Sequence, residues 1–374
     1  MKFKADRASL LKALAHIQSV AEKRNTIPIL ANVLIAVRDG RLGLSATDME
    51  IAVIEEVPAQ TTRDGATTAP ASTLYEIVRR LPEGADVEFD LAAGTGQLGL
   101  RAGRYATSLV VLPVEDFPSM TAGALPHKFH LPAMVLRSLI DHTKFAISTE
   151  ETRYYLNGIY LHAAEGADGK VLRAVATDGH RLARVEETLP EGAAGMPGVI
   201  VPRKTVNEIR KLLDEESGEV QVALSDTRIQ FKVGAVTLTS KLIDGTFPEY
   251  DRVIPRDNDK VLRVPKVDFA TAVARVAAIS AERARPVKLS LARDLLVLSA
   301  TSPEQGTASE ELEGVKYDSS PLEIGFQARY LTDITDQING DVEFCFSDGA
   351  APTIVRDAQD SSALYVLMPM RVYG

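Results

Sequence analysis

The stretch Ala176-Thr177-Asp178-Gly179-His180-Arg181-Leu182 decides how the chain is read. It ends an apolar run, Val171 to Val175, and leads straight into another, Leu182 to Val185. Two counterparts stand elsewhere. Ser45-Ala46-Thr47-Asp48-Met49-Glu50 follows Leu42 and Leu44, and Ser299-Ala300-Thr301-Ser302-Pro303-Glu304 follows Leu295 to Leu298. Three copies of one strand ending imply a triplicated unit. Gly-His-Arg-Leu occurs in the middle copy alone, which marks that copy as specialised.

The rest of each copy repeats as well. Each opens with an apolar strand and an amphipathic helix: Phe3 to Ala21, Phe129 to Ile147, and Leu262 to Ser280. Apolar residues recur at i, i+3, i+4, i+7, as in Leu10, Ala13, Leu14, Ile17 and Val20. The matching stripes are Leu136, Leu139, Ile140, Thr143 and Ala146, then Phe269, Ala272, Val273, Val276 and Ile279. A second helix recurs at Ala69 to Ile77, Val201 to Ile209 and Phe326 to Ile334. Proline sits near its first turn in two copies, where a missing N–H costs little. Both helices give a period of roughly 130 residues, too long for a solenoid of ~20–50-residue units, so the pattern is domain triplication.

Between the helices the pattern is strand. Leu34 to Val37 and Leu42 to Leu44 flank Asp39-Gly40, a favoured hairpin turn. Ile159 to Ala163 and Val171 to Val175 are the counterpart hairpin, and Val87, Val220 and Val342 open a second sheet in each unit. Pro-, Gly- and charge-rich linkers fall at Pro118 to His127 and Phe247 to Lys260. The expected organisation is α+β, with three domains at 1–125, 126–256 and 257–374.

Composition narrows the function. The 374 residues are 45% apolar and 25% charged, ordinary for a soluble globular chain. No apolar run is long enough for a membrane span, and the start lacks the apolar core of a signal peptide. The single cysteine, Cys345, excludes an internal disulfide framework and fits a reducing, cytoplasmic setting as a buried strand thiol. A net charge of −9 argues against nucleic acid when taken whole. Its distribution argues the other way. In the helical segments basic residues outnumber acidic ones about two to one, and the remainder is strongly acidic. Arg79, Arg80, Arg137, Lys144, Arg203, Lys204, Arg210 and Lys211 lie off the apolar stripes, either as solvated helix faces or as a surface for phosphates.

Several motifs read blandly. Gly94-Thr95-Gly96-Gln97-Leu98-Gly99 matches a dinucleotide fingerprint, but an alternating strand follows it, not a helix, so a glycine-rich hairpin is expected. No Walker-type nucleotide loop occurs. His127-Lys128-Phe129-His130 lacks a second pair of ligands at metal spacing. Asp178 and His180 can be drawn as an acid–base pair, but no nucleophile accompanies them and Thr47-Asp48 has no histidine. Met368-Pro369-Met370 near the end supplies soft, adaptable surface, or simply a last strand.

Taken together, Arg24 to Leu30, Arg153-Tyr154-Tyr155-Leu156-Asn157-Gly158, Ala176 to Leu182, Phe247-Pro248-Glu249-Tyr250 and Met368-Pro369-Met370-Arg371 resemble the bacterial DNA polymerase III β subunits, the sliding clamps. The resemblance runs along essentially the whole chain. It implies three tandem DNA-clamp domains, each with two helices on two antiparallel sheets, and a head-to-tail homodimeric ring around double-stranded DNA. It implies no catalysis, no cofactor and no metal. Partners would be the replicative polymerase, a clamp loader, and other polymerases and repair factors carrying short Leu/Phe-containing peptides.

Carried over by resemblance, the partner-peptide pocket comprises Leu156, Thr177, Gly179, His180, Arg181, Leu182, Pro248, Val253, Val366, Met368, Pro369, Met370 and Arg371. Arg24, Tyr154 and Tyr155 correspond to DNA-contacting loops. The ring joint corresponds to Arg104, Thr107 and Leu109 against Ala278, Ile279 and the acidic loop Glu304 to Glu310. Thr107 stands where the family often has a bulky apolar residue. Two other readings remain at this point: an enzyme using Asp178 and His180 on a nucleotide or nucleic acid, and a repeat scaffold without DNA.

Overall fold

Period-3.6 stripes become helices and period-2 alternation becomes strands throughout the computed structural model. It describes residues 1–21, 26–92, 94, 96–120, 123–279 and 286–371. The helices are α1 (Arg7–Gln18), α2 (Ala71–Arg80), α3 (Ala133–Asp141), α4 (Arg203–Leu212), α5 (Lys266–Ala277) and α6 (Ala328–Thr335). Asp6 caps α1 by accepting from the Ser9 N–H at 2.9 Å, satisfying a donor that the first turn leaves open. Leu10, Ala13, Leu14 and Ile17 of α1 are buried, as are Phe269, Ala272, Val273 and Val276 of α5. The apolar stripes outrun the helices: Val20 is buried in the turn after α1, and Thr143 and Ala146 lie beyond α3. There the Thr143 hydroxyl donates to the Leu139 carbonyl at 2.5 Å, which competes with the backbone ladder. Ser280 lies outside the described residues.

Among the described residues four antiparallel sheets hold the strands. A five-stranded sheet runs Gln60–Arg63, Lys2–Asp6, Asp86–Leu91, Gln97–Ala102, Tyr105–Val110. The glycine-rich stretch is therefore a hairpin connection, with Gly94 and Gly96 both at positive φ. A four-stranded sheet runs Gly306–Leu312, Leu295–Ser302, Pro286–Ala292, Leu322–Gln327. The other two sheets, of eight and nine strands, each cross from one sequence repeat into the next. The segment from His127 that reads as a linker begins a strand, His127–Pro132, with Phe129 inside the core. Cys345 is buried in the strand Val342–Phe346, and burial pushes its thiol pKa up.

The chain divides into two compact units: 1–136 with 190–197 and 204–242, and 137–189 with 198–203 and 243–374. Compact unit and sequence repeat differ because sheets continue across repeat boundaries. In the first unit the strand Val236–Lys241 of the second repeat pairs with Ile51–Pro58 of the first. In the second unit Arg181–Thr188 of the second repeat pairs with Ala363–Leu367 of the third.

Both pairings keep the same register. Pairing outward from Phe3, Phe129 and Leu262, the ladders reach Thr107, Leu238 and Tyr365 at one equivalent position. Leu44, Ala174 and Leu298 likewise oppose Glu55, Val185 and Glu310. Two residues earlier, Val53, Ala183 and Ala308 are equivalent. Leu238 opposes Val53 and Tyr365 opposes Ala183. One ladder position therefore carries both joints.

Candidate functional site

The repeated Thr-Asp is a turn device. The Thr177 hydroxyl donates to the Arg181 carbonyl at 2.7 Å, and Asp178 Oδ1 accepts the N–H groups of His180 (2.9 Å) and Arg181 (3.0 Å). In the first repeat the Thr47 hydroxyl donates to Ile51 at 2.9 Å, and Asp48 Oδ1 accepts from Glu50 and Ile51, each at 2.8 Å. Short polar side chains that take the place of ladder partners explain why the motif recurs. The residue after Asp has positive φ in both, Met49 at 77° and Gly179 at 87°. A Cβ at Gly179 would also lie 2.6 Å from Arg153 Nη1, so the end of that flexible side chain would have to move.

The same turn excludes the acid–base pair drawn from Asp178 and His180. The Asp178 carboxylate is occupied by backbone N–H groups and, at 3.1 Å, by Arg181 Nε. The His180 imidazole is exposed and stacks on Tyr330 with ring centres 6.2 Å apart. Arg181 is buried. It also donates to Asp333 Oδ2 (2.5 Å) and to the Phe145 carbonyl (2.7 Å), and its guanidinium lies over the rings of Tyr330 and Phe145. Two carboxylates neutralise its charge, so the side chain clasps the second unit together.

A cleft of about 330 Å³ lies within the second unit. Its lining includes Leu156, Thr177, Gly179, Arg181, Leu182, Pro248, Val253, Val366 and Met368 from the expected pocket. Arg153, Tyr155, Glu249 and Tyr250 complete it. Below it Leu156, Val175, Leu182, Ile200, Phe247, Tyr250 and Val366 form one buried cluster. Val253 and Met368 stay half exposed at the mouth. A mostly apolar floor with adaptable sulfur at the rim suits apolar peptide side chains. His180, Pro369, Met370 and Arg371 are outside this lining. The Met370 N–H donates instead to the Gly325 carbonyl at 2.8 Å. The four lining residues that were not anticipated stand inside the quoted motifs at Arg153 and Phe247, which was the available signal.

Of the residues matched to DNA contacts, Arg24 lies outside the described residues. Tyr154 is half exposed, its ring edge-on to Tyr155 at 5.8 Å, and Tyr155 turns into the cleft. The helix cations mostly face a carboxylate one turn away. Arg79 and Arg80 share Glu76 (2.8 and 3.0 Å), Arg137 and Lys144 share Asp141 (3.6 and 2.5 Å), and Lys211 meets Glu208 at 2.8 Å. Arg210 reaches Asp214 at 2.7 Å, Lys204 reaches Asp48, and Arg203 is exposed. The six helices still hold twelve lysines and arginines against five aspartates and glutamates. The surplus is diffuse, and exposed pairs of this kind contribute under about 1 kcal/mol each.

The residues matched to the ring joint lie at two sheet edges. Tyr105–Val110 is the last strand of its sheet and Gly306–Leu312 the last of another. Leu238 and Tyr365 are both 0% exposed and Ala183 is 0%, whereas their equivalents Thr107 and Ala308 are only half-buried. Leu109 is buried, Arg104, Ala278 and Glu304 are exposed, and Ile279 is half-buried after α5. Glu310 is held by Arg275 of α5, Nε to Oε2 at 2.9 Å. The Val111 N–H donates back into its own sheet, to Gly96 at 3.2 Å, so by alternation the N–H groups of Ala106, Ser108 and Val110 point away from it.

Comparison with known proteins agrees along the full length. Family models of the DNA polymerase III beta subunit match residues 1–121 (N-terminal domain), 130–249 (central domain) and 251–371 (C-terminal domain). The beta sliding clamp of Caulobacter vibrioides is 53% identical over 374 residues, covering 100% of both chains. A crystal structure of the C. crescentus beta sliding clamp superposes with a TM-score of 0.97 at 52% identity, covering 100% of this chain and 99% of that one. A Bartonella birtlesii sliding clamp bound to griselimycin gives 0.96 at 46% identity, covering 100% of both. Three repeats of two helices and two antiparallel sheets, with turn, register and sheet order in common, place this chain in the family of β sliding clamps, the beta subunits of DNA polymerase III.

Proposed function

We propose that two copies of this chain close head to tail into a ring that encircles duplex DNA and acts as a non-enzymatic processivity factor. The repeating parts are domains 1–125, 126–256 and 257–374. The observation that carries this reading is the open third joint. Val236–Lys241 meets Ile51–Pro58, and Ala363–Leu367 meets Arg181–Thr188, in one register. Tyr105–Val110 and Gly306–Leu312 are the equivalent strands, and among the described residues both lack a partner on their outer side. Exposed edges of this kind invite pairing, and two-fold closure covers these two edges of both chains at once.

The register follows from the repeats. Thr107 comes opposite Ala308 of the partner subunit, and Leu109 opposite the partner's Gly306. Lys241 donates to the Glu50 carbonyl and Met368 to the His180 carbonyl, both at 2.9 Å. By equivalence the Val110 N–H donates to Gln305 of the partner subunit. Arg104 enters the joint beside the partner's Glu310, with Glu304, Ala278 and Ile279 at its margin.

Encirclement holds the protein on DNA by topology, so phosphate contacts can stay weak and exchange readily. The diffuse cationic surplus of Arg79, Arg80, Arg137, Lys144, Arg203, Lys204, Arg210 and Lys211, together with Arg24, Tyr154 and Tyr155 as further DNA contacts, suits sequence-independent sliding. The cleft takes short Leu/Phe-containing peptides of the replicative polymerase, the clamp loader, and other polymerases and repair factors. The sequence has no nucleotide loop of its own, so an ATP-driven loader opens the ring. The cytoplasm is the expected compartment. In support, Cys345 is a free thiol, and among the described residues no helix is long and apolar enough to cross a membrane. After loading, the protein stays on nicked circular DNA and is lost when the circle is linearised. Equal retention on both would overturn the ring.

A further inference from the structure

One wall of the cleft has little backbone support. Residues 242–249 belong to no helix or strand, and Tyr250–Arg252 form a single 3-10 turn. Pro248, Glu249, Tyr250 and Val253 of this segment all line the cleft. Side chains therefore fix the wall. Phe247 stacks on Tyr160 (centres 4.9 Å apart, planes 7° apart), and Tyr160 stacks on His162 at 4.6 Å. Tyr250 sends its ring to the cleft and its hydroxyl into the sheet behind, where Arg173 Nη1 lies at 2.8 Å and His162 Nε2 at 2.9 Å.

The donors around that hydroxyl can be assigned. His162 Nδ1 lies 3.0 Å from the Ala163 carbonyl, which only accepts, so Nδ1 carries the hydrogen. In the neutral ring Nε2 is then an acceptor. Arg173 donates to the Tyr250 oxygen, Tyr250 donates to His162, and His162 donates to Ala163. The chain is directional. Arg173 is held in turn by the Glu165 carbonyl (3.2 Å) and by Glu186 (2.7 Å).

We propose that neutral His162, together with Arg173, positions Tyr250 and through it the Pro248–Val253 wall of the cleft, and that protonating His162 weakens peptide capture there. The proposal rests on the cleft being the peptide site. An imidazolium would aim a second N–H at the Tyr250 oxygen, leave the hydroxyl hydrogen without its acceptor, and set a cation beside Arg173. Arg173 and Arg184 are the cations packed near the ring, and Glu186 and Asp251 the anions. Burial lowers the His162 pKa, against the Ala163 carbonyl, and Arg173 lowers it further. Neutral His162 therefore dominates above about pH 6.5, the ordinary histidine value, and the loss sets in below it.

Griselimycin, the compound bound in the solved Bartonella birtlesii relative, serves as probe. Its binding is measured by calorimetry on the full chain from pH 5 to 8. Wild type loses affinity toward pH 5. Tyr250→Phe binds about three- to tenfold more weakly at pH 7.5, the range a single hydrogen bond spans, with a flattened profile. His162→Gln loses the ring that stacks on Tyr160, so it binds more weakly at pH 7.5, and having no titratable group there it loses the acid-side decline. Folding of each variant is checked by thermal melting, and Tyr250→Phe, which removes one oxygen, keeps the test alive if His162→Gln does not fold. Unchanged affinity in Tyr250→Phe, or a wild-type acid decline surviving in folded His162→Gln, overturns the proposal. No wild-type binding at any pH, or binding that survives deletion of Met368 to Arg371, refutes the cleft as the peptide site and the proposal with it.

Discussion

Ser108→Pro separates a ring from a monomer. Ser108 lies in the edge strand Tyr105–Val110, and its N–H points away from its own sheet. Proline is tolerated at such a position when the edge faces solvent, because no donor is lost. In the proposed joint that N–H donates to Thr307 of the partner subunit. Losing it forfeits about 1 kcal/mol of net hydrogen bonding and leaves a buried carbonyl unpaired for a further ~1–3 kcal/mol. A two-fold ring has two such joints, so the dimer is weakened by about 4–8 kcal/mol, roughly a thousandfold to a millionfold in Kd. Sedimentation velocity at micromolar concentration then finds wild type as dimer and Ser108→Pro as monomer, with the same thermal melt for the isolated fold. Thr107→Pro instead removes an N–H that faces Leu100 inside the sheet and damages the fold itself. A Ser108→Pro protein that sediments as wild type would refute both the register and the edge pairing.

Three more outcomes are expected. Deleting Met368 to Arg371 removes peptide binding, measured by fluorescence polarisation, and leaves the dimer intact because neither edge strand is touched. Arg181→Met leaves Asp178 only its backbone donors and Asp333 only Arg329, and costs about 1.5–3 kcal/mol in urea unfolding, the range of a hydrogen bond to a charged group; an unchanged midpoint contradicts the clasp. Third, His16 sits between Glu55 (2.7 Å) and Glu215 (3.3 Å), which belong to the first and second repeats. Burial lowers its pKa, but the two carboxylates outweigh that and raise it. A raised folded pKa gives stability that is complete below about pH 6.5 and is lost as pH rises through the folded value. The stability gap between wild type and His16→Gln therefore widens from pH 8 to pH 6; a gap that narrows is evidence against the paired imidazolium.

The sequence by itself determined what depends on neighbours along the chain. Apolar period placed the six helices, Asp39-Gly40 placed a hairpin turn with both residues at positive φ, and Thr-Asp placed the turn that marks the first two copies. Because the unit is triplicated, the helix stripes could be read three times over. Tertiary structure decided what depends on residues far apart. Arg181 reads as a cleft cation, yet Asp333, 152 positions on, neutralises it. Tyr154 and Tyr155 are adjacent, yet one half faces solvent while the other lines the cleft, since the 3-10 turn Glu151–Leu156 points them apart. The hydroxyl of Tyr250 meets His162, 88 positions away, because the strand Gly158–Gly166 passes behind the cleft. Side-chain periodicity records which face of an element is buried, but not which distant element covers it. The continuous sheets across repeats, and the common register of the edges Tyr105–Val110 and Gly306–Leu312, emerged only when the strands were paired in space.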